Sequence, residues 1–165
     1  MVKTNFNHGW VFCDVEEGQD AFAGAPQMTP VDLPHDAMAA RERKPGIPGG
    51  AAAGQYENKN TLYEKHFSVP ADCDAQQWWI EFEGVYANTS VFLNGNYLGG
   101  CHYGYTDFYL DAGESVVKGG ENVLQVYTKT GMGMVSRWYT GDGIYRSVWL
   151  YSGPKTSLQP GSSRV

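Results

Sequence analysis

Residues 76–100 read QQWWIEFEGVYANTSVFLNGNYLGG, and the alternation within that stretch decides the fold class. In its first part Trp78, Ile80 and Phe82 fall on one face, while Trp79, Glu81 and Glu83 fall on the other. That period of two marks a strand buried on one side. In its second part Val91 and Leu93 point one way, Asn94-Gly95 supplies the residues of a tight two-residue turn, and Tyr97-Leu98 returns. A half-buried strand followed by a hairpin is β architecture.

The same signal continues on both sides. LYEKHFSV (62–69) sets Tyr63, Lys65 and Phe67 against Leu62, Glu64 and His66 and stops at Pro70. YTDFYLD (105–111), ENVLQVYTK (121–129) and YRSVWLY (145–151) are three further strands, with turns at Ala112–Ser115 and Lys118–Gly120. Short strands are expected at Trp10–Cys13 and Thr29–Leu33. RERKPGIPGGAAAGQYENKN (41–60) reads as a long loop by its Gly, Pro and Ala content. No segment of ten or more residues carries a 3.6-residue period. Seven to nine short strands make an all-β sandwich or barrel, and the spacing permits either.

Composition narrows the partners. The 165 residues carry 12 basic and 18 acidic side chains, a formal charge of -6, so no basic surface is available for nucleic acid or an anionic membrane. Cys13, Cys73 and Cys101 are too few and too scattered for a disulfide framework or a zinc site. The N-terminus MVKTNFNHGWVF has no long apolar core, and no stretch reaches the length of a membrane span. Three reduced thiols in a cytoplasmic protein is the expectation.

Chemistry-bearing residues are sparse. Glycoside cleavage with retention needs two carboxyl groups about 5 Å apart. Asp36, Asp107, Asp111 and Asp142 all sit at turn signals, and none forms an evident pair. No Gly-x-Ser-x-Gly nucleophile motif is present, and the four histidines lack ligand spacing. Turn aspartates have the oxygen chemistry of a structural calcium or magnesium site, but nothing resembles an EF-hand loop, so no cofactor is expected. Two segments stand out. Pro34-His35-Asp36 sets two polar side chains at a strand end, or simply caps backbone N–H groups with the aspartate. RWYTGDGIYR (137–146) combines arginines and aromatic rings, which suits either a sugar wall or a buried aromatic corner.

Six motifs in order carry a resemblance: LPHDA (33–37), LYEKHFSVP (62–70), FEGVYANTSVFLNGNYLGG (82–100), GYTDFYLD (104–111), GGENVLQV (119–126) and RWYTGDGIYRSVWL (137–150). Together they resemble the N-terminal sugar-binding domain of family 2 glycoside hydrolases, closest to the β-galactosidase-type members, over residues 8–152. The resemblance implies a jelly-roll β-sandwich of the galactose-binding type over residues 1–152. Residues 153–165 would then be a tail or linker towards an immunoglobulin-like domain. It also implies a parent enzyme whose (β/α)8 barrel carries both catalytic glutamates, so this chain alone should be inactive and contribute no catalytic residue.

What the resemblance implies for binding is local. The family's substrate-contacting Asn, five residues before the strand Tyr, falls on Asn58. The Asp that several members place six residues before the Gly of Gly-Ile-x-Arg is Arg137 here, with Trp138 as a wall beside it. Asp36 is a third candidate, although the Trp that usually follows it is Ala37 in this sequence. The expected ligand is a β-galactoside or related glycoside. Arg137, together with the cluster Arg41, Arg43 and Lys44, points to a charged or substituted sugar, unless those three are a solvated loop. Tyr145 and Arg146 are expected to be structural, Arg146 by pairing with an acid across the sandwich. Two rivals to the reading are a free-standing carbohydrate-binding module and a purely structural interdomain module.

Overall fold

The computed structural model describes residues 1–16, 18–22, 27–47, 50–130 and 140–162. Ten strands are present among the described residues: β1 (Val2–Asn5), β2 (Trp10–Val15), β3 (Thr29–Val31), β4 (Asn60–Val69), β5 (Gln77–Phe82), β6 (Thr89–Leu93), β7 (Asn96–Cys101), β8 (Phe108–Asp111), β9 (Gly120–Thr128) and β10 (Val148–Gly153). They form a four-stranded sheet in the order β1-β10-β5-β8 and a six-stranded sheet in the order β3-β2-β4-β9-β6-β7. Every strand pairing is antiparallel. The two sheets face each other as a jelly-roll sandwich, which resolves the choice between sandwich and barrel.

Alternation explains the packing. Trp78, Ile80 and Phe82 of β5 and Val148 and Leu150 of β10 meet Tyr63, Val91, Leu93, Leu124 and Val126 from the larger sheet in one core. The opposite residues of β5 and β10 coat the outer face of the smaller sheet. There Glu81, only 6% exposed, accepts from the Tyr109 and Tyr151 hydroxyls at 2.8 and 2.6 Å and pairs with Lys3 at 2.9 Å. Trp149 donates to Glu83 at 2.9 Å, and Lys3 lies over its ring. The β6–β7 turn has Asn94 and Gly95 at φ 52° and 80°, the positive pair that a primed turn demands. Asn94 is then fixed by Asn122, which is fully buried and also closes the Val117 backbone on both its N–H and C=O.

Several expectations change in detail. β1 has no alternation to announce it, since all four residues are exposed, and it forms by pairing with β10. β3 ends at Val31 instead of Leu33, because the Leu33 N–H leaves the ladder for the Asn7 carbonyl at 2.8 Å. The 41–60 loop contains a short 3-10 helix (Gly50–Ala53), and a second (Gly113–Ser115) replaces the turn after β8. Residues 154–162 lie partly against β5, where Gln77 donates to the Lys155 carbonyl and accepts from Ser157. Cys13, Cys73 and Cys101 are all free thiols.

Candidate functional site

One end of the sandwich gathers the polar groups that the apolar core excludes. Its centre is Asp142, which is 0% exposed. Gly141 and Gly143 flank it at φ 74° and 95°, and Gly143 pairs with Tyr86 through two 2.9 Å backbone hydrogen bonds. That bridge fixes the turn beside the end of β5. A Cβ on residue 143 would overlap the Tyr63 hydroxyl, so the close approach as well as the φ requires glycine.

A buried carboxyl group needs partners, and Asp142 recruits them from distant segments. Arg41 Nη1 donates to its Oδ2 at 2.7 Å and to the Glu57 carbonyl at 3.1 Å, while Nη2 donates to Asp14 of β2 at 2.5 Å. The Lys59 N–H approaches the same Oδ2 at 3.4 Å. Thr130 Oγ1 lies 2.9 Å from Asp142 Oδ1 and 2.7 Å from the Lys59 carbonyl. Burial pushes the Asp142 carboxyl up to about 6, with Arg41, Thr130 and Lys59 pulling it back only in part. Burial also opposes the Arg41 charge, but Asp14 and Asp142 outweigh it, and the guanidinium is held above its ordinary value. The Thr130 hydroxyl has one proton and two acceptors. With Asp142 protonated, both contacts become donors in sequence, Asp142 to Thr130 and Thr130 to Lys59.

Asp36 joins the same centre from the opposite side. Its Oδ1 accepts from Met38 N, capping the 3-10 helix Ala37–Ala40, and from Asp142 N, each at 3.0 Å. Ala37 stands where the resemblance expects Trp; it is buried and its N–H donates to the Asp142 carbonyl at 2.8 Å. His35 is held by the Tyr63 hydroxyl at 2.8 Å and packs on Phe12. Burial lowers the His35 pKa and raises that of Tyr63, so both are neutral groups here. Asp36 thus caps backbone N–H groups, as its Pro-His-Asp context permitted, and is tied to Asp142 through the Asp142 N–H.

Asn58 lies on the half-buried segment just before β4. Its Oδ1 and the Arg41 Nε are buried without a hydrogen-bond partner among the described residues. A cleft of about 150 Å³ is lined by Asp14, Arg41, Glu42, Lys44, Glu57 and Lys59, the last two flanking Asn58 in the chain. Arg137 and Trp138, the other two sequence candidates, lie outside the described residues.

The positive cluster of 41–44 does not survive as a unit. Arg41 is consumed by Asp14 and Asp142, Arg43 lies over the Tyr56 ring at 5.1 Å, and only Lys44 lines the cleft with it, among three acids. Arg146 does not make the expected ion pair across the sandwich with any described residue. It is exposed, over Tyr145 at 5.6 Å, and Arg41 holds the buried pair instead. Tyr145 is structural as expected, donating to the Gly104 carbonyl at 2.7 Å. Sequence reasoning passed over Asp142 and Thr130. The one available signal was the Gly-Asp-Gly run, in which glycines on both sides let a backbone bury its aspartate. Among the described residues no group of three or more His, Cys, Asp or Glu side chains could hold a metal ion.

With this geometry in place, comparison with known proteins becomes specific. Residues 5–154 match the family model described as glycosyl hydrolases family 2, sugar binding domain. Beta-galactosidase BoGH2A of Bacteroides ovatus is 36% identical over 151 residues, covering 90% of this chain and 18% of the relative. A beta-glucuronidase of Formosa agariphila is 32% identical over 102 residues, covering 54% of this chain and 10% of the relative. The solved structure of a beta-glycosidase from Bacteroides vulgatus superposes with a TM-score of 0.81 at 29% identity, covering 92% of this chain and 20% of that one. The chain thus spans about a fifth or less of the length of these relatives. The matched residues run from the last residue of β1 past the end of β10 and include Asp36, Arg41, Asn58 and Asp142, so the chain belongs to the sugar-binding domain family of glycosyl hydrolases family 2.

Proposed function

We propose that this domain supports the catalytic barrel of a family 2 glycoside hydrolase and supplies loop residues to the subsite for the non-reducing sugar. The parent enzyme would hydrolyse O-glycosidic bonds of a β-galactoside or a related glycoside. The observation that carries the reading is the buried Asn58 Oδ1, an acceptor without a donor among the described residues, in a segment whose Glu57 and Lys59 line the cleft. Leaving such an acceptor unpaired costs about 1–3 kcal/mol, and a sugar hydroxyl is a donor of the right kind. The sequence matches to a named beta-galactosidase and a named beta-glucuronidase support the substrate class. Arg137 and Trp138 enter the proposal as further contacts on the resemblance alone, and Asp36 as the residue that braces the site from below. Residues 153–165 would lead towards an immunoglobulin-like domain.

The test is hydrolysis of p-nitrophenyl β-galactoside and β-glucuronide by the full-length protein. Asn58→Ala should raise KM about tenfold or more for the preferred glycoside, the loss of one hydrogen bond from a buried site. An unchanged KM would remove Asn58 from the sugar site. Calorimetry of the chain alone separates the rival: submillimolar binding of galactose or glucuronate would mark a free-standing carbohydrate-binding module.

A further inference from the structure

We propose that Arg41 and Asp142 are positioning residues for Asn58, a buried ion pair that clamps the backbone on both sides of that side chain. The inference rests on the reading of Asn58 as a sugar contact. Three backbone groups of the segment are held by one network. The Glu57 carbonyl accepts from Arg41 Nη1, the Lys59 N–H points to Asp142 Oδ2, and the Lys59 carbonyl is met by Thr130, which itself touches Asp142 Oδ1. Asn58 sits between these anchored residues, and Asn60 immediately continues into β4.

Stability alone does not call for this arrangement. A buried ion pair is often no better for stability than apolar side chains of equal volume, because desolvation offsets the attraction. Direction is what the pair adds. The planar guanidinium fork reaches acceptors on three separate segments, at Asp14, Glu57 and Asp142, with a geometry that no apolar group could impose. The Asp142 backbone is in turn pinned by Asp36 and by Ala37. The amide of Asn58 is thereby set before any sugar arrives, so a ligand need not pay to order it.

The experiment is a double-substitution cycle in the full-length protein with p-nitrophenyl β-galactoside, or the glucuronide if that is preferred. Asp142→Asn should raise KM about tenfold and leave kcat within about twofold, the pattern of lost ground-state positioning. In an Asn58→Ala background the same change should add less than about twofold. A tenfold effect in both backgrounds would show that Asp142 acts elsewhere and overturn the proposal. Arg41→Lys keeps the charge but loses the fork, and it should behave like Asp142→Asn; an unchanged KM overturns the proposal as well. Where Asp142→Asn does not fold, Thr130→Val takes its place in the cycle. Amide exchange on the domain distinguishes the two failures. If Asn58→Ala is silent while Asp142→Asn selectively speeds exchange at Lys59, the sugar-contact reading fails and the clamp is structural only. If Asn58→Ala raises KM and exchange at Lys59 is unmoved, the clamp fails and the contact stands.

Discussion

Replacing Gly143 by alanine tests the packing of the site with one methyl group. The residue sits at φ 95°, a conformation costing an alanine about 1–2 kcal/mol. The added Cβ would overlap the Tyr63 hydroxyl and stand 2.9 Å from its Cζ. Tyr63 cannot swing aside: it is 0% exposed, stacked on Phe12 with centroids 5.5 Å apart, and bonded to His35. Overpacking of a filled interior adds about 1–3 kcal/mol. The total, about 2–5 kcal/mol, corresponds to roughly 4–20 °C in Tm for a domain of this size. Thermal unfolding of the domain followed by circular dichroism reads it directly. A loss below about 1 kcal/mol would refute the argument, since neither strain nor contact could then be present. A second measurement separates the two causes. In a Tyr63→Phe background the hydroxyl overlap is gone while the ring contact and φ remain, so the penalty of Gly143→Ala should shrink by roughly 1–2 kcal/mol. An identical penalty in both backgrounds would exclude the hydroxyl as its source.

Three other outcomes follow from named contacts. Asp142 titrates higher in the folded chain than in the unfolded one, so its contribution is fully present below about pH 4 and is lost as pH rises through about 6. Urea unfolding between pH 4 and 7 should therefore show a steeper decline for the natural chain than for Asp142→Asn, and parallel curves would contradict the shift. Asn122→Leu should cost about 2–4 kcal/mol by urea unfolding, because it leaves the Val117 N–H and C=O without their partner and removes one of the two acceptors of the Asn94 amide. A neutral result would mean those groups find others. For Glu81, burial raises the carboxyl pKa, but the hydrogen bonds from Tyr151, Lys3 and Tyr109 outweigh it and the net shift is downward. Its contribution is thus present above the ordinary glutamate range and lost as pH falls through the lowered value. Glu81→Gln should flatten the acid limb of the stability profile, and an unaltered limb would assign the acid sensitivity to other groups.

How much of this was legible depended on whether the cause was local. β5, the β6–β7 hairpin and β9 each bury one face, so alternation marked them, and Asn94-Gly95 announced its own turn. β1 buries neither face; its cause is the free edge of β10, which no window on residues 2–5 contains. The polar end shows the same division. Asn58 came from motif position within a family resemblance alone, whereas Asp36 was also marked by its own Pro-His-Asp context. Asp142 looked like Asp107 or Asp111, one more acid at a turn. What sets it apart is an arginine 101 positions away, and that arginine in turn looked like one charge in a solvated run. Burial of a charge is decided by its partner, and the partner here is remote in sequence.

That remoteness has a consequence for how the domain comes into being. The Arg41–Asp142 and Asp36–Asp142 contacts close loops of 101 and 106 residues, and the Lys59–Asp142 contact one of 83. Loops of that length carry an entropic cost that is met only when much of the chain is already in place. A nascent chain that has not yet reached residue 142 can assemble several strands of the larger sheet and already holds Asp14 to pair with Arg41, yet it lacks the carboxyl group that ties Arg41, Thr130 and the Lys59 N–H together. The polar end is completed only with the arrival of the Gly-Asp-Gly turn and the strand behind it. Under the proposed role of Asn58, readiness for sugar and completion of folding are thereby one event: a molecule able to present Asn58 in its braced form is one whose final strand has already docked.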